Sequence, residues 1–198
     1  MFDITFAVIL SIVLSPLMII IAVFIKADSK GPVMFRQIRV TRYGKKFRIF
    51  KFRTMSVGPE ATGTLVTTAN DKRVTKTGRF LRKYRLDELP QILNVISGDM
   101  TFVGTRPEVV KYVEKYKEEM MATLLIPAGI TSESSIRYKD EEKLLSIADA
   151  ADETYIEAIL PEKMKCNLEA LEVYGFLNDI RTMLNTVVSM VNRDENRV

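Results

Sequence analysis

Residues 4–25 read ITFAVILSIVLSPLMIIIAVFI, twenty-two consecutive residues without a charge and with Pro16 almost at their centre. At about 1.5 Å of rise per residue, a helix of that length covers the roughly 30 Å hydrocarbon core of a bilayer. The stretch is therefore read as a membrane helix. Pro16 has no N–H to offer the Ile12 carbonyl and its ring crowds that carbonyl, so a bend is expected there, with Ser15 placed to bond a freed backbone group. Physics alone leaves two geometries open: a single span, which it favours because proline is tolerated in spanning helices, or a segment that enters the bilayer and turns back. A secretory signal fits less well. No basic residue precedes the apolar run, the run is long, and no small-x-small cleavage site comes before Lys26.

Charge outside this stretch orients it. Residues 26–53 carry ten basic side chains against one acidic one, Asp28. By the positive-inside bias the bulk of the chain is expected on the cytoplasmic face of a membrane. Residues 1–53 carry a net charge of +8 and the remainder −4, so the basic character is concentrated where anionic lipid attracts it. A nucleic-acid binder is disfavoured, because the chain beyond the juxtamembrane cluster is net acidic.

Composition limits the chemistry of the rest. Residues 1–27 form the membrane segment and 28–198 are long enough for one compact domain. The single cysteine, Cys166, allows no internal disulfide, which suits a reducing compartment. The chain has no histidine, so histidine-base mechanisms and His-rich zinc sites are excluded. Carboxylates, lysines, hydroxyls or an oxygen-bound metal remain.

Periodicity predicts an α+β fold that is mostly helical with a small β-hairpin. Val33 to Val40 and Lys46 to Thr54 are β-rich and flank a turn at Tyr43-Gly44, with Phe47 and Ile49 on one face and Phe50 and Phe52 on the other. Ser56 to Thr77 reads as a long loop. Helices are expected over Gly78 to Leu86, Pro90 to Ser97, Pro107 to Met121, Asp140 to Ala150, Pro161 to Tyr174 and Asn178 to Asn192. The last places Ile180, Leu184, Val187, Val188 and Val191 on one side, a core face or, in a tethered chain, an interfacial amphipathic one.

The chemistry centres on Leu81-Arg82-Lys83-Tyr84-Arg85-Leu86-Asp87-Glu88-Leu89-Pro90-Gln91. Two adjacent carboxylates ahead of a proline-initiated helix lie near the positive end of its dipole, and Arg82 and Arg85 stand upstream. Such cations are expected to keep both carboxylates ionised. An ionised aspartate can attack phosphorus while its neighbour holds a divalent metal or manages a proton. Taken alone, the pair reads more simply as an N-terminal cap and dipole partner.

Four features in order alter that balance: the apolar stretch with Ser15-Pro16; Phe50-Lys51-Phe52-Arg53-Thr54-Met55; Leu86-Asp87-Glu88-Leu89-Pro90-Gln91; and Gly98-Asp99-Met100-Thr101-Phe102-Val103-Gly104-Thr105-Arg106-Pro107. Together they resemble the small monotopic phosphoglycosyl transferases of the bacterial sugar transferases, over roughly residues 3–135. The resemblance implies transfer of a sugar-1-phosphate from a nucleotide diphosphate sugar, usually a UDP-sugar, to polyprenyl (undecaprenyl) phosphate, with release of UMP. It implies Asp87 as nucleophile, forming a covalent aspartyl phosphosugar, Glu88 as its partner, and Mg²⁺ held at Asp87 and Glu88.

Arg82 and Arg106 are implied phosphate contacts, for which the guanidinium fork is suited. Lys51 and Arg53 are further candidates, with a solvated strand face or lipid headgroups as the alternative. The resemblance also implies that Ser15 and Pro16 break the apolar segment into a re-entrant helix-break-helix with both ends cytoplasmic. The bacterial inner membrane is the expected location, its lipid a partner, and a homo-oligomer is compatible. Thr105 and the Pro127-Ala128-Gly129-Ile130-Thr131-Ser132-Glu133 segment depart from the common family pattern, so the sugar stays open. The alternative from another class is a non-enzymatic membrane-tethered adaptor or scaffold, in which the Asp-Glu pair is only a cap.

Overall fold

A computed structural model describes residues 2–56, 71, 73–138, 145 and 151–191. Helix α1, Phe2–Asp28, is long and apolar enough to cross a membrane by length and composition. It runs unbroken through Pro16. The separate helices implied on either side of Ser15-Pro16 are not what the backbone forms, and the reason is local: the Ser15 hydroxyl donates to the Ile12 carbonyl at 2.8 Å, supplying the bond that Pro16 cannot.

One stripe of α1 faces the rest of the chain. Ala7, Ile21 and Ile25 are buried and Leu10, Leu14 and Met18 are partly so, the spacing of a single helix face. The other side leaves Ile9, Ile12, Val13, Ile19, Ile20, Val23 and Phe24 exposed. Both ends are tied down. The Thr101 hydroxyl donates to the Asp3 carboxylate, and Asp28 accepts from the Thr77 amide at 2.8 Å.

Strands β1, Met34–Val40, and β2, Lys46–Phe52, form the expected antiparallel hairpin, Met34 opposite Phe52 and Val40 opposite Lys46. Its turn places Tyr43 and Gly44 at φ of 58° and 73°, a left-handed pair that the glycine makes easier. Phe47 and Ile49 point into a core cluster with Ala7, Ile92, Val95, Met100 and Phe102. Phe52 enters another with Ile21, Ile25 and Leu81.

Helix α2, Lys76–Lys83, is capped by the Thr75 hydroxyl and packs so closely on the segment following β2 that a Cβ at Gly78 would sit 2.1 Å from the Thr54 carbonyl oxygen. A 3₁₀ turn, Leu86–Gln91, then leads into α3, Ile92–Ile96. The buried Asn94 side chain accepts from the Phe50 amide at 2.9 Å and donates to the Arg48 carbonyl at 3.0 Å. It thereby bonds the free edge of β2 and locks the 3₁₀ turn against that strand.

Two short strands, β3, Met100–Val103, and β4, Ala128–Thr131, form a parallel pair. A Cβ on Gly129 would meet the Gly104 nitrogen at 2.1 Å, so the glycines permit the approach. Pro107 to Met121 is not one helix. It resolves into α4, Val110–Val113, and a 3₁₀ segment, Glu118–Leu125, because Val109 and Lys117 are extended. The interruption lets Val109, Tyr112 and Met120 reach one core cluster with Tyr155, Ile159, Leu160 and Met164.

Helices α5, Glu133–Arg137, α6, Ala151–Thr154, α7, Leu160–Glu172, and α8, Phe176–Val191, complete the chain, with a π turn at Tyr155–Ile159. Pro161 lies in the first turn of α7, as expected. The helix expected over 140–150 lies, save Leu145, outside the described residues, as does most of the loop over 56–77. In α8 the stripe is turned outward: Leu184, Val187 and Val188 are exposed, while Thr182 and Thr186 face inward and bond Glu133 and Thr131. Phe176 at its start meets the Phe2 ring edge-on at 4.9 Å, which brings the first turns of α1 and α8 together.

Candidate active site

The site forms where β2, the Leu86–Gln91 turn and the segment after β3 converge. Alternation along β2 sends Phe47 and Ile49 into the core and brings Lys51 out on the same side, towards the turn. The turn is entered through Arg85, whose φ of 52° and ψ of 24° are left-handed. Such a conformation is uncommon for a non-glycine residue and is held here by the surrounding packing. Arg106 arrives from the end of β3.

These elements gather three cations on one buried carboxylate. Glu88 Oε1 lies 2.5 Å from the Arg106 guanidinium and 2.8 Å from Lys51 Nζ, and Arg85 is 3.7 Å from Oε2. Burial alone raises a carboxyl pKa, but Arg106, Lys51 and Arg85 overcome it and hold Glu88 well below the usual carboxylate range. Burial pushes Lys51 down, opposed by Glu88.

Asp87 behaves in the opposite way. It is half-buried, and no hydrogen-bond donor among the described residues engages its carboxylate. Desolvation and then the Glu88 charge raise its pKa, against the pull of Lys51, Arg82 and Arg106. The expectation that nearby cations lower both carboxylates thus holds for Glu88 and reverses for Asp87. The cap reading also gains no support, since neither acidic side chain closes a helix N-terminus: α3 has no side-chain cap.

The other sequence candidates divide. Arg82 lies close enough to act electrostatically on Asp87, and its Nε donates to the Thr54 hydroxyl at 3.0 Å. Arg53 is placed elsewhere. Its buried guanidinium donates to the carbonyls of Ile25, Ser29 and Lys30 and to the Ser29 hydroxyl, closing the C-terminal end of α1. Ser15 and Pro16 lie mid-way along α1 and take no part in this cluster.

Two supports complete the cluster, of which sequence reasoning reads one. Arg85, expected as a cation upstream of the pair, is a cluster member. Glu108, buried two residues after Arg106, accepts from the Tyr155 hydroxyl at 2.6 Å with Lys163 3.9 Å away, and Arg39 donates to the Pro107 carbonyl at 3.1 Å. That second network anchors the backbone that carries Arg106.

Among the described residues, no cluster of three acidic, cysteine or histidine side chains forms a protein-only metal cage. Magnesium commonly takes one or two carboxylates and completes its shell with substrate phosphate oxygens and water. Asp87, with no donor on its oxygens, fits that donor set. Glu88 joins it only by exchanging Arg106 or Lys51.

Comparison with known proteins places this chain in a family. The sequence model described as bacterial sugar transferase matches residues 1–193. A UDP-glucose:undecaprenyl-phosphate glucose-1-phosphate transferase of Klebsiella pneumoniae is 42% identical over 137 residues, which is 68% of this chain and 30% of that protein. A putative undecaprenyl-phosphate N-acetylgalactosaminyl 1-phosphate transferase of Bacillus subtilis is 37% identical over 142 residues, 71% of this chain and 78% of its own length. A UDP-glucose:undecaprenyl-phosphate glucose-1-phosphate transferase of Caulobacter vibrioides is 31% identical over 195 residues, 97% of this chain and 69% of that protein. The match thus spans about a third or less of the Klebsiella protein and of the Aeromonas hydrophila N-acetylgalactosaminephosphotransferase, 30% and 28% of their lengths. With nearly the whole chain matched and the carboxylate pair seated among cations suited to phosphate, the protein belongs to the bacterial sugar transferase family.

Proposed function

We propose that this chain transfers a sugar-1-phosphate from a UDP-sugar to polyprenyl phosphate, releasing UMP. The observation that carries the reading is the asymmetry of the pair: Glu88 is neutralised by Arg106, Lys51 and Arg85, while the Asp87 carboxylate has no donor among the described residues. A carboxylate without donors keeps its lone pairs for attack. Lys51, Arg82, Arg85 and Arg106 gather around the two carboxylates, and such cations suit the diphosphate of an incoming donor.

The chemistry runs in two displacements. An Asp87 oxygen attacks the sugar-bearing phosphorus, the Asp87–phosphorus bond forms, and the bond to the UMP oxygen breaks. A polyprenyl phosphate oxygen then attacks the same phosphorus and restores the free Asp87 carboxylate. The lipid phosphate is already ionised at neutral pH and requires no strong base, which suits a site without histidine. Mg²⁺ held at Asp87 and the diphosphate would neutralise charge on the leaving group. Arg106, Arg82 and Lys51 would orient the phosphates by charge-assisted bonds.

The same reading puts α1 in the cytoplasmic leaflet of a bacterial inner membrane. Its first turns, through Asp3, Ala7 and Leu10, and its last, through Ile21, Ile25 and Arg53, pack on one folded body. A helix that crossed the bilayer would draw that body through it. Support for a re-entrant or in-plane placement comes from this attachment at both ends and from the exposed apolar faces of α1 and α8, whose first turns meet at Phe2 and Phe176.

The test is UMP release by purified protein with Mg²⁺, polyprenyl phosphate and a panel of UDP-sugars. Ping-pong kinetics, and release stoichiometric with enzyme when the lipid is omitted, are the expected result. No release with any donor rejects the reading in favour of a tethered scaffold.

A further inference from the structure

A cavity adjoins Glu88, the buried member of the carboxylate pair. Between α1, the Leu86–Gln91 turn, β4, α5 and α8 lies a space of about 230 Å³, walled by Leu10, Leu89, Ile92, Phe102, Ile130 and Ile136. Among the described residues, Arg85 and Glu88 are its only charged lining residues. A sugar nucleotide is polar along its whole length and gains little from such a wall. An anionic amphiphile fits both parts.

We infer that this cavity holds the first isoprene units of the lipid acceptor, with the acceptor phosphate on Arg85. The inference rests on the transferase reading and deepens it by assigning one substrate to one slot. At roughly 30 Å³ per non-hydrogen atom, the share of a water in the liquid, the space takes about eight carbons, one to two isoprene units. Of the three cations on Glu88, Arg85 is the most loosely held, at 3.7 Å against 2.8 Å for Lys51 and 2.5 Å for Arg106. It can turn to a phosphate without stripping Glu88 of its partners.

The surroundings say where the chain goes next. Leu10 belongs to the inner face of α1, and Thr186 and Ser189, on the inner side of α8, line the same cavity. The outer sides of both helices are apolar and exposed. An isoprenoid leaving the slot therefore passes between two lipid-compatible surfaces, and the reacting phosphate stays beside Asp87.

Two measurements on the full chain in nanodiscs of phosphatidylethanolamine and phosphatidylglycerol decide it. The first uses wild-type protein and a polyprenyl phosphate with a diazirine in its first isoprene units. Photolabel in peptides containing Ile130 to Ile136 or Thr186 to Ser189 supports the slot, while label confined to the outward residues of α1, such as Ile12 and Ile19, overturns it. The second is kinetic. In Ile136→Trp and Ser189→Trp, which fill the space from α5 and from α8, the KM for polyprenyl phosphate should rise about tenfold or more with the KM for UDP-sugar little changed. An equal rise in both, or a rise for the UDP-sugar alone, overturns the assignment, the latter giving the cavity to the donor nucleoside. Photolabelling needs no turnover, so absence of UMP release by the wild type sinks the transferase reading while the label still decides the slot.

Discussion

Lys51 Nζ sits 2.8 Å from Glu88 Oε1, across 37 residues of sequence, and so ties β2 to the turn that presents Asp87. Both groups are largely buried, and the pair is completed by Arg106 and Arg85. A lone carboxylate facing three cations is the keystone of the cluster, since its removal leaves buried positive charges uncompensated.

Glu88→Gln is accordingly expected to lose about 3 kcal/mol or more of stability at neutral pH, within the range for breaking a buried ion pair. Denaturant unfolding in detergent measures it. The folded-state pKa of Glu88 is depressed, so its contribution is present above the unfolded carboxylate value and is lost as pH falls through the folded one. Wild type and variant should converge in acid. A constant gap at every pH would show that the loss is not electrostatic.

Asp87→Asn should abolish turnover, because an amide of the same shape cannot attack phosphorus. The same change should raise the melting temperature at neutral pH in EDTA. The Asp87 pKa is raised on folding, so its ionised form costs stability above the folded value, and that cost disappears below the unfolded one. Thermal melts at two pH values check the sign. Substantial UMP release by the variant would remove Asp87 from the nucleophile role.

At Arg106 the geometry separates charge from shape. Lysine keeps the charge but loses the second donor of the fork that spans both Glu88 oxygens. Arg106→Lys is expected to lower kcat/KM for UDP-sugar by about tenfold or more, equivalent to roughly 1.4 kcal/mol, and Arg106→Ala by more. Unchanged kinetics in the lysine variant would reduce the requirement to charge alone or to none.

The attachment of α1 at both ends leads to a topological expectation. With Cys166 replaced, a cysteine at Phe2 should resist an impermeant reagent applied outside intact cells. Ready labelling of the Phe2 cysteine in the otherwise native chain would establish a span.

Sequence periodicity carried the hairpin, α7 and α8 because each is long enough for its pattern to repeat. It did not carry β3 and β4, four residues each and separated by 24 others, whose pairing depends on the Gly104 and Gly129 approach. Arg53 and Lys51 share one face of β2 and look equivalent in sequence, yet one closes the end of α1 and the other binds Glu88. Their difference is tertiary. The opposite pKa directions of Asp87 and Glu88 were likewise invisible, because adjacent residues in a 3₁₀ turn point to different surroundings.

Asn94 has a consequence for how copies of this protein meet. By committing its amide to the Phe50 N–H and the Arg48 carbonyl, it plugs the outer rim of the hairpin with a side chain. A rim so plugged cannot recruit a strand from a second molecule there, which removes a common template for runaway aggregation.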